Sequence, residues 1–144
     1  MLLVPETDGD LARNGRGRNR RAAELEGYRV LVVEDEFLIA LEVEDAIRRA
    51  GGTVIGPVST LENGLDTAEH GTFDVAVVDM NLRGEVATPI AETLAQRRIP
   101  FVAATGYDIA RIAPELDCPR HLRKPYRSDE LIHTLVAALA DERA

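Results

Sequence analysis

The sequence predicts an α/β fold, a doubly wound sheet of five parallel strands with helices on both faces, and three observations carry that expectation. From Tyr28 onward, short apolar runs alternate five times with segments of helical periodicity. Two of the runs, Val30-Leu31-Val32-Val33 and Val75-Ala76-Val77-Val78, are unbroken and rich in valine, as strands covered on both faces are. Both stop abruptly on acids, Glu34-Asp35 and Asp79. Five βα units with short connections imply right-handed crossovers and hence helices on both sides of one sheet.

Each element has its own signal. The first strand is Arg29 to Val33. Its helix puts Ile39, Val43, Ala46, Ile47 and Ala50 on one face, with Arg48 and Arg49 in the last turn and Gly51 as the stop. The second strand, Thr53 to Val58, contains Gly56-Pro57, and a proline without a ladder donor belongs at a sheet edge. Ser59-Thr60-Leu61-Glu62 has capping-box spacing and opens a helix carrying Leu61, Leu65 and Ala68. The third strand ends on Asp79. Thr88-Pro89 reads as an N-cap followed by proline at the first helical position of a third helix, which runs to Arg97 or Arg98. The fourth strand, Pro100 to Ala104, leads into Thr105-Gly106-Tyr107, and a weaker helix from about Asp108 to Ala113 is disrupted by Pro114. The fifth strand, Arg120 to Arg123, is half polar and lies between Pro119 and Pro125, which suits the other edge. Ser128 is the expected cap of the last helix, with Asp129 and Glu130 in its first turn and a stripe of Leu131, Ile132, Leu135, Val136 and Leu139. Outer second and fifth strands fit the flavodoxin-like order 2-1-3-4-5. That order sets strands one and three side by side at the switch point, where ligands bind beyond the carboxyl ends.

Composition narrows the function classes. A chain of 144 residues has the size of one domain. The lone cysteine, Cys118, forms no internal disulfide, no Cys/His set has zinc spacing, and Cys118 reads as a small packed residue. Met1-Leu2-Leu3-Val4, stopped by Pro5, is too short for a signal peptide or a membrane span, so a cytoplasmic location without membrane contact is expected. In residues 1–26 five arginines offset five acids, and the stretch reads as a disordered extension ahead of a domain over residues 27–144. The arginines at 16, 18, 20 and 21 leave a basic arm toward nucleic acid or an acidic partner as the less favoured reading. The net charge of -8 therefore belongs to the remainder, which argues against nucleic acid as the folded part's partner.

The strand ends carry the chemistry. In one parallel sheet Glu34, Asp35 and Asp79 emerge at the same edge, where like charges repel unless a cation lies between them, and such hard oxygen ligands suit Mg²⁺. The fourth strand ends in a hydroxyl, Thr105, and the fifth in Lys124. Lys124 is the single lysine among 17 basic residues, the rest being arginine. Where arginine is the default, one lysine indicates a need for a compact ammonium, and Pro125 after it makes the bond a candidate for cis. Three acids, a hydroxyl and an ammonium are the parts that hold a metal and a phosphoryl group. Taken singly, Asp79 could be a turn cap, Thr105 a turn residue, Lys124 a solvated charge and Asn81 a turn asparagine, so the signal lies in the set.

With Glu34-Asp35, Asp79, Thr105 and Lys124-Pro125 in that order, residues 28–142 resemble a CheY-like response-regulator receiver domain. The resemblance implies that Asp35, Asp79 and the backbone carbonyl of Asn81 ligate Mg²⁺, with Glu34 acting through water. It also implies that Asp79 takes the phosphoryl group from a sensor histidine kinase or a histidine phosphotransfer protein, and that Thr105 and Lys124 contact its oxygens. No proline follows Asp79 in Met80-Asn81-Leu82-Arg83-Gly84, and His121 stands where these domains usually carry Tyr or Phe. With Ala103-Ala104-Thr105-Gly106-Tyr107 and Lys124-Pro125-Tyr126, the chain is similar to the alphaproteobacterial FATGUY receivers, with Ala103 in place of their Phe; that subfamily is tied to sensory kinases and general stress signalling.

Two function classes follow. The first is a stand-alone phosphorylation switch. No sequence for a DNA-binding or enzymatic output domain follows the last helix, so the signal is expected to leave by phosphotransfer or by contact with a downstream protein, with a homodimer on phosphorylation left open. The second is a constitutive, phosphorylation-independent binding module with the same fold. An enzyme acting on separate phosphate esters fits less well, because the Asp-x-Asp phosphatase motif needs an acid where Asn81 stands. Tyr107, two residues after Thr105, is the nearest aromatic that can move with the hydroxyl, so the switch is expected in the Thr105–Tyr107 loop and the helix after it rather than in the fifth strand. His121 reads as a satisfied edge-strand histidine rather than a sensor or ligand, and His70 and His133 as ordinary helix-surface residues.

Overall fold

The computed structural model describes residues 24–106 and 120–143. The N-terminal arginines, Tyr107, Cys118 and the expected helix from Asp108 to Ala113 lie outside the described residues. The elements, in order, are β1 (Arg29–Val33), α1 (Phe37–Arg49), β2 (Thr53–Val58), α2 (Leu61–His70), β3 (Val75–Asp79), β4 (Asn81–Leu82), β5 (Glu85–Val86), α3 (Thr88–Gln96), β6 (Phe101–Thr105), β7 (His121–Arg123) and α4 (Ser128–Arg143). The main sheet has the order β2-β1-β3-β6-β7, parallel throughout, with the proline-bearing strand and the half-polar strand at its two edges as expected.

Strand periodicity divides the core in two. Val30, Val32, Val75, Val77, Val102 and Ala104 face α1 and α4, where Ile39, Val43, Ile47, Leu131 and Leu135 close over them. The alternate residues Leu31, Val33, Ala76, Val78, Phe101 and Ala103 face α2 and α3, against Ala68, Ile90, Ala91 and Leu94. The central strands are thus covered on both faces, which explains their continuous apolar runs.

Helix ends differ from the sequence expectation by one residue. The cap of α2 is Thr60, whose Oγ1 accepts from the N–H of Asn63, so Ser59 and Glu62 form no capping box. The cap position of α3 is Ala87, which makes Thr88 its first residue and moves Pro89 one place further in. In α4 the N–H of Leu131 donates to the carbonyl of Arg127, and the carboxylate of Glu130 accepts from the N–H of Arg127. Ser128 therefore lies inside the helix, buried, rather than capping it. C-termini follow their signals. Gly51, at φ 88, lets its own N–H and that of Gly52 close onto Arg48 and Ile47 at the end of α1. Arg98, at φ 58, does the same for α3 in spite of its side chain.

Leu25, which the expected boundary leaves in the N-terminal extension, is fully buried against the α1 side of the core, and its N–H donates to the carbonyl of Ala50. Burial of a leucine stabilises by about 1.5–3 kcal/mol, enough to hold this turn in the packed unit. The short β4–β5 hairpin is a second departure from the expected five strands.

Candidate functional site: an acidic cluster bridged by a lysine

Two central strands deliver the acids. β1 and β3 are paired in register from Val30 with Val75 to Val33 with Val78, so Glu34 and Asp79, each the next residue, come out side by side. β2 supports Glu34 through a bulge. Its register slips between Leu31 and Val33, where Gly56 takes φ 98, and the slip brings the carbonyl of Val58 to the N–H of Glu34 at 3.0 Å. Oxygens of Glu34, Asp35 and Asp79 lie within 4.8 Å of one another. β6 ends on Thr105, 2% exposed, whose carbonyl accepts from the N–H of Lys124 at 2.9 Å. That bond carries the chain from the edge of the sheet back to the acids. The Lys124–Pro125 bond is cis. Lys124 Nζ then donates to Glu34 Oε1 at 3.2 Å and Asp79 Oδ2 at 3.1 Å.

Glu34 and Asp79 are each 4% exposed. Burial first, and then the charge of Asp79, push Glu34 up to about 8, while Lys124 pulls the other way. Burial also works against ionisation of Asp35, but the N–H of Arg83 and hydrogen bonding to Asp79 outweigh it and hold Asp35 below the usual carboxylate range. For Lys124 desolvation opposes the charge, and the charges of Asp79 and Glu34 win, raising its pKa. Below the cluster, Tyr126 is buried with its phenol pushed upward, by burial and then by Glu34 and Asp79. At an effective dielectric of 20, two carboxylates separated by such distances repel by roughly 3–4 kcal/mol. Once Glu34 is ionised there are three such pairs, more than one ammonium offsets. An all-oxygen donor set carrying this unspent negative charge fits Mg²⁺.

The backbone after Asp79 contributes groups that sequence reasoning missed. Asn81 N–H donates to Asp79 Oδ1 at 3.0 Å, and Arg83 N–H donates to Asp35 Oδ2 at 3.1 Å. Both donors belong to the β4–β5 hairpin, whose two-residue turn has Arg83 at φ 53 and Gly84 at φ 87. Leu82-Arg83-Gly84-Glu85 between the apolar Met80 and Val86 was the available signal, a glycine at the second turn position of a tight hairpin. Of the expected site residues, Glu34, Asp35, Asp79 and Lys124 come together, Asn81 adjoins them through its backbone, and Thr105 ends the neighbouring strand. Tyr107 lies outside the described residues. His121 is exposed on the edge strand, opposite Ala103.

No family model matches the chain. The receiver domain of the sensor histidine kinase PA1611 from Pseudomonas aeruginosa PAO1, solved with a magnesium ion coordinated in its active-site cleft, superposes with a TM-score of 0.70 at 22% identity, over 79% of this chain and 98% of that one. A CheY-like response-regulator receiver domain protein from Methanospirillum hungatei JF-1 gives 0.72 at 20% identity, over 83% and 97%. The chain folds as a CheY-like receiver domain. Among curated proteins, the transcriptional regulatory protein PdtaR of Mycobacterium tuberculosis is 26% identical over 116 residues, covering 78% of this chain and 57% of PdtaR. The chain spans about half the length of the curated relatives it matches. No helix among the described residues is long and apolar enough to cross a membrane.

Proposed function

We propose that this protein is a response regulator of a phosphorelay, in which Asp79 accepts a phosphoryl group from a sensor histidine kinase or a histidine phosphotransfer protein. The observation that carries the reading is the bridge of Lys124 between Glu34 and Asp79 at the ends of neighbouring strands, with Asp35 alongside. Asp79 is held for attack. Its Oδ1 is engaged by Asn81 N–H, and its Oδ2 lies on an ammonium that a phosphoryl oxygen can share. A carboxylate oxygen of Asp79 attacks phosphorus and forms the O–P bond. The N–P bond of the phosphohistidine breaks, and the imidazole leaves with the electron pair and takes up a proton. Lys124 and the Thr105 hydroxyl receive the oxygens of the transferred group. Asp35, Asp79 and the Asn81 carbonyl, with Glu34 through water, are the residues to hold Mg²⁺, which supplies neutralising charge for the acids and the transferring oxygens.

The donor protein has a landing surface at the mouth of the site. Phe37 and Leu38, 73% and 70% exposed, open α1 directly after the acids, and Leu41 follows one turn later. Apolar side chains this exposed beside a reactive carboxylate suit a donor that must bury its phosphohistidine against Asp79. The output is protein contact in the cytoplasm, read from the Thr105–Tyr107 loop rather than from β7. His121 lies at the solvent side of an edge strand and would lose its hydration on turning inward. His121 together with the sequence Thr105-Gly106-Tyr107 supports a reading of the protein as a FATGUY-type receiver.

The donor reading is tested by comparing transfer from a phosphohistidine protein with transfer from a small acyl phosphate, in wild type and Leu38→Asp. The substitution is expected to slow transfer from the protein donor at least tenfold and to leave the small donor unaffected. Equal rates from the protein donor would remove α1 from the docking surface. No labelling from any donor would leave the phosphorylation-independent binding module.

A further inference from the structure

We propose that the β4–β5 hairpin is a positioning device for the acid cluster, built from the side chain of Asn81 and the left-handed turn at Arg83-Gly84. The proposal rests on the magnesium and phosphoryl-acceptor reading above and adds residues to it. Three hydrogen bonds run in sequence through this turn. Asn81 N–H donates to Asp79 Oδ1, Gly84 N–H donates to Asn81 Oδ1 at 2.9 Å, and Arg83 N–H donates to Asp35 Oδ2. The turn thus ties the carboxylate after β1 to the carboxylate that ends β3, through backbone donors alone.

Its footing is rigid. Met80 and Leu82 are buried in the α2–α3 half of the core, Met80 N–H donates to the carbonyl of Ala104, and Ala87 N–H closes the hairpin onto the carbonyl of Met80. Both central residues of the turn take positive φ, the geometry of a tight hairpin, and in that turn the Arg83 N–H meets the Asp35 carboxylate. Asp35 is the acid that most needs such a tether. It is the only one of the three that is half-exposed, and the two Lys124 bonds described above go to the other acids, Glu34 and Asp79. Partners that orient metal-binding carboxylates usually influence affinity by 10–100-fold.

Gly84 separates this role from packing. A Cβ there would meet nothing within 4 Å, so a substitution acts through the backbone angle and not through a clash. Asparagine tolerates positive φ and a β-branched valine does not. The experiment measures Mg²⁺ binding by calorimetry, and Arg83 amide hydrogen exchange in the metal-free protein by NMR, for wild type, Gly84→Asn, Gly84→Val and Asp35→Ala. Gly84→Val should bind Mg²⁺ about tenfold more weakly and exchange the Arg83 amide faster, and Gly84→Asn should restore both. Asp35→Ala should speed the same amide. Wild-type affinity and wild-type Arg83 exchange in Gly84→Val would overturn the proposal. A wild type that binds no Mg²⁺ would instead bring down the reading beneath it, a result told apart by the exchange data, which need no metal.

Discussion

Lys124 and Glu34 set the behaviour of the site at the scale of single residues. The ammonium sits 3.1–3.2 Å from two buried carboxylates and bridges them as a point charge. Lys124→Arg should therefore stay folded yet respond poorly to phosphorylation, because a planar guanidinium cannot approach Asp79 and a phosphoryl oxygen in the same way. Near-wild-type spectral change on phosphorylation would show the ammonium to be dispensable. Glu34 has a folded value of about 8, raised from the ordinary 4.5. Between those values the folded state holds a proton that the unfolded state has released, so this contribution to stability is full below about 4.5 and is lost as pH rises through about 8. Without metal, the melting temperature should fall between about pH 4.5 and about pH 8 and level off above, and stabilisation by Mg²⁺ should grow over the same range, since the metal needs the ionised carboxylate. Glu34→Gln should flatten both trends. A flat profile in wild type would contradict the buried, proton-holding Glu34.

Elements place these residues, and not all of that was legible in advance. The bulge in β2 is the clearest case. Pro57 marked the strand as an edge, but the sequence carried no sign that Gly56 would bring Val58 to Glu34. A Cβ on Gly56 would lie 2.8 Å from the N of Val58 and 3.0 Å from the O of Val32, in addition to strain at φ 98. Both obstacles are backbone and cannot step aside. Gly56→Ala should cost about 2 kcal/mol in denaturant unfolding and weaken Mg²⁺ binding through Glu34. Loss below about 0.5 kcal/mol would show that the bulge is not held as described. The start of α2 slipped by a residue because Thr60, beside Ser59, can also cap, whereas α3 starts from Ala87 with no side-chain cap and α4 takes Ser128 into its first turn. The hairpin after Asp79 stayed hidden because two-residue strands leave no periodicity to read.

Across the whole molecule, the order of the sheet was legible because prolines marked both edges and valine runs marked the centre. That order alone converts acids at positions 34, 35 and 79 and a lysine at 124 into one cluster. What stayed out of reach is what depends on backbone donors, namely the amides of Asn81 and Arg83, for which the one sign in the sequence was Gly84 at the second position of a tight turn. The central claim is that this cluster makes Asp79 a magnesium-dependent phosphoryl acceptor. Peptide mapping by mass spectrometry, after exposure to a small acyl phosphate with Mg²⁺ or with chelator, tests it most directly. Modification should appear on Asp79 with Mg²⁺, disappear with chelator, and be absent from folded Asp79→Asn. Folded wild type that binds Mg²⁺ but is never modified, or is modified equally under chelator, would contradict it.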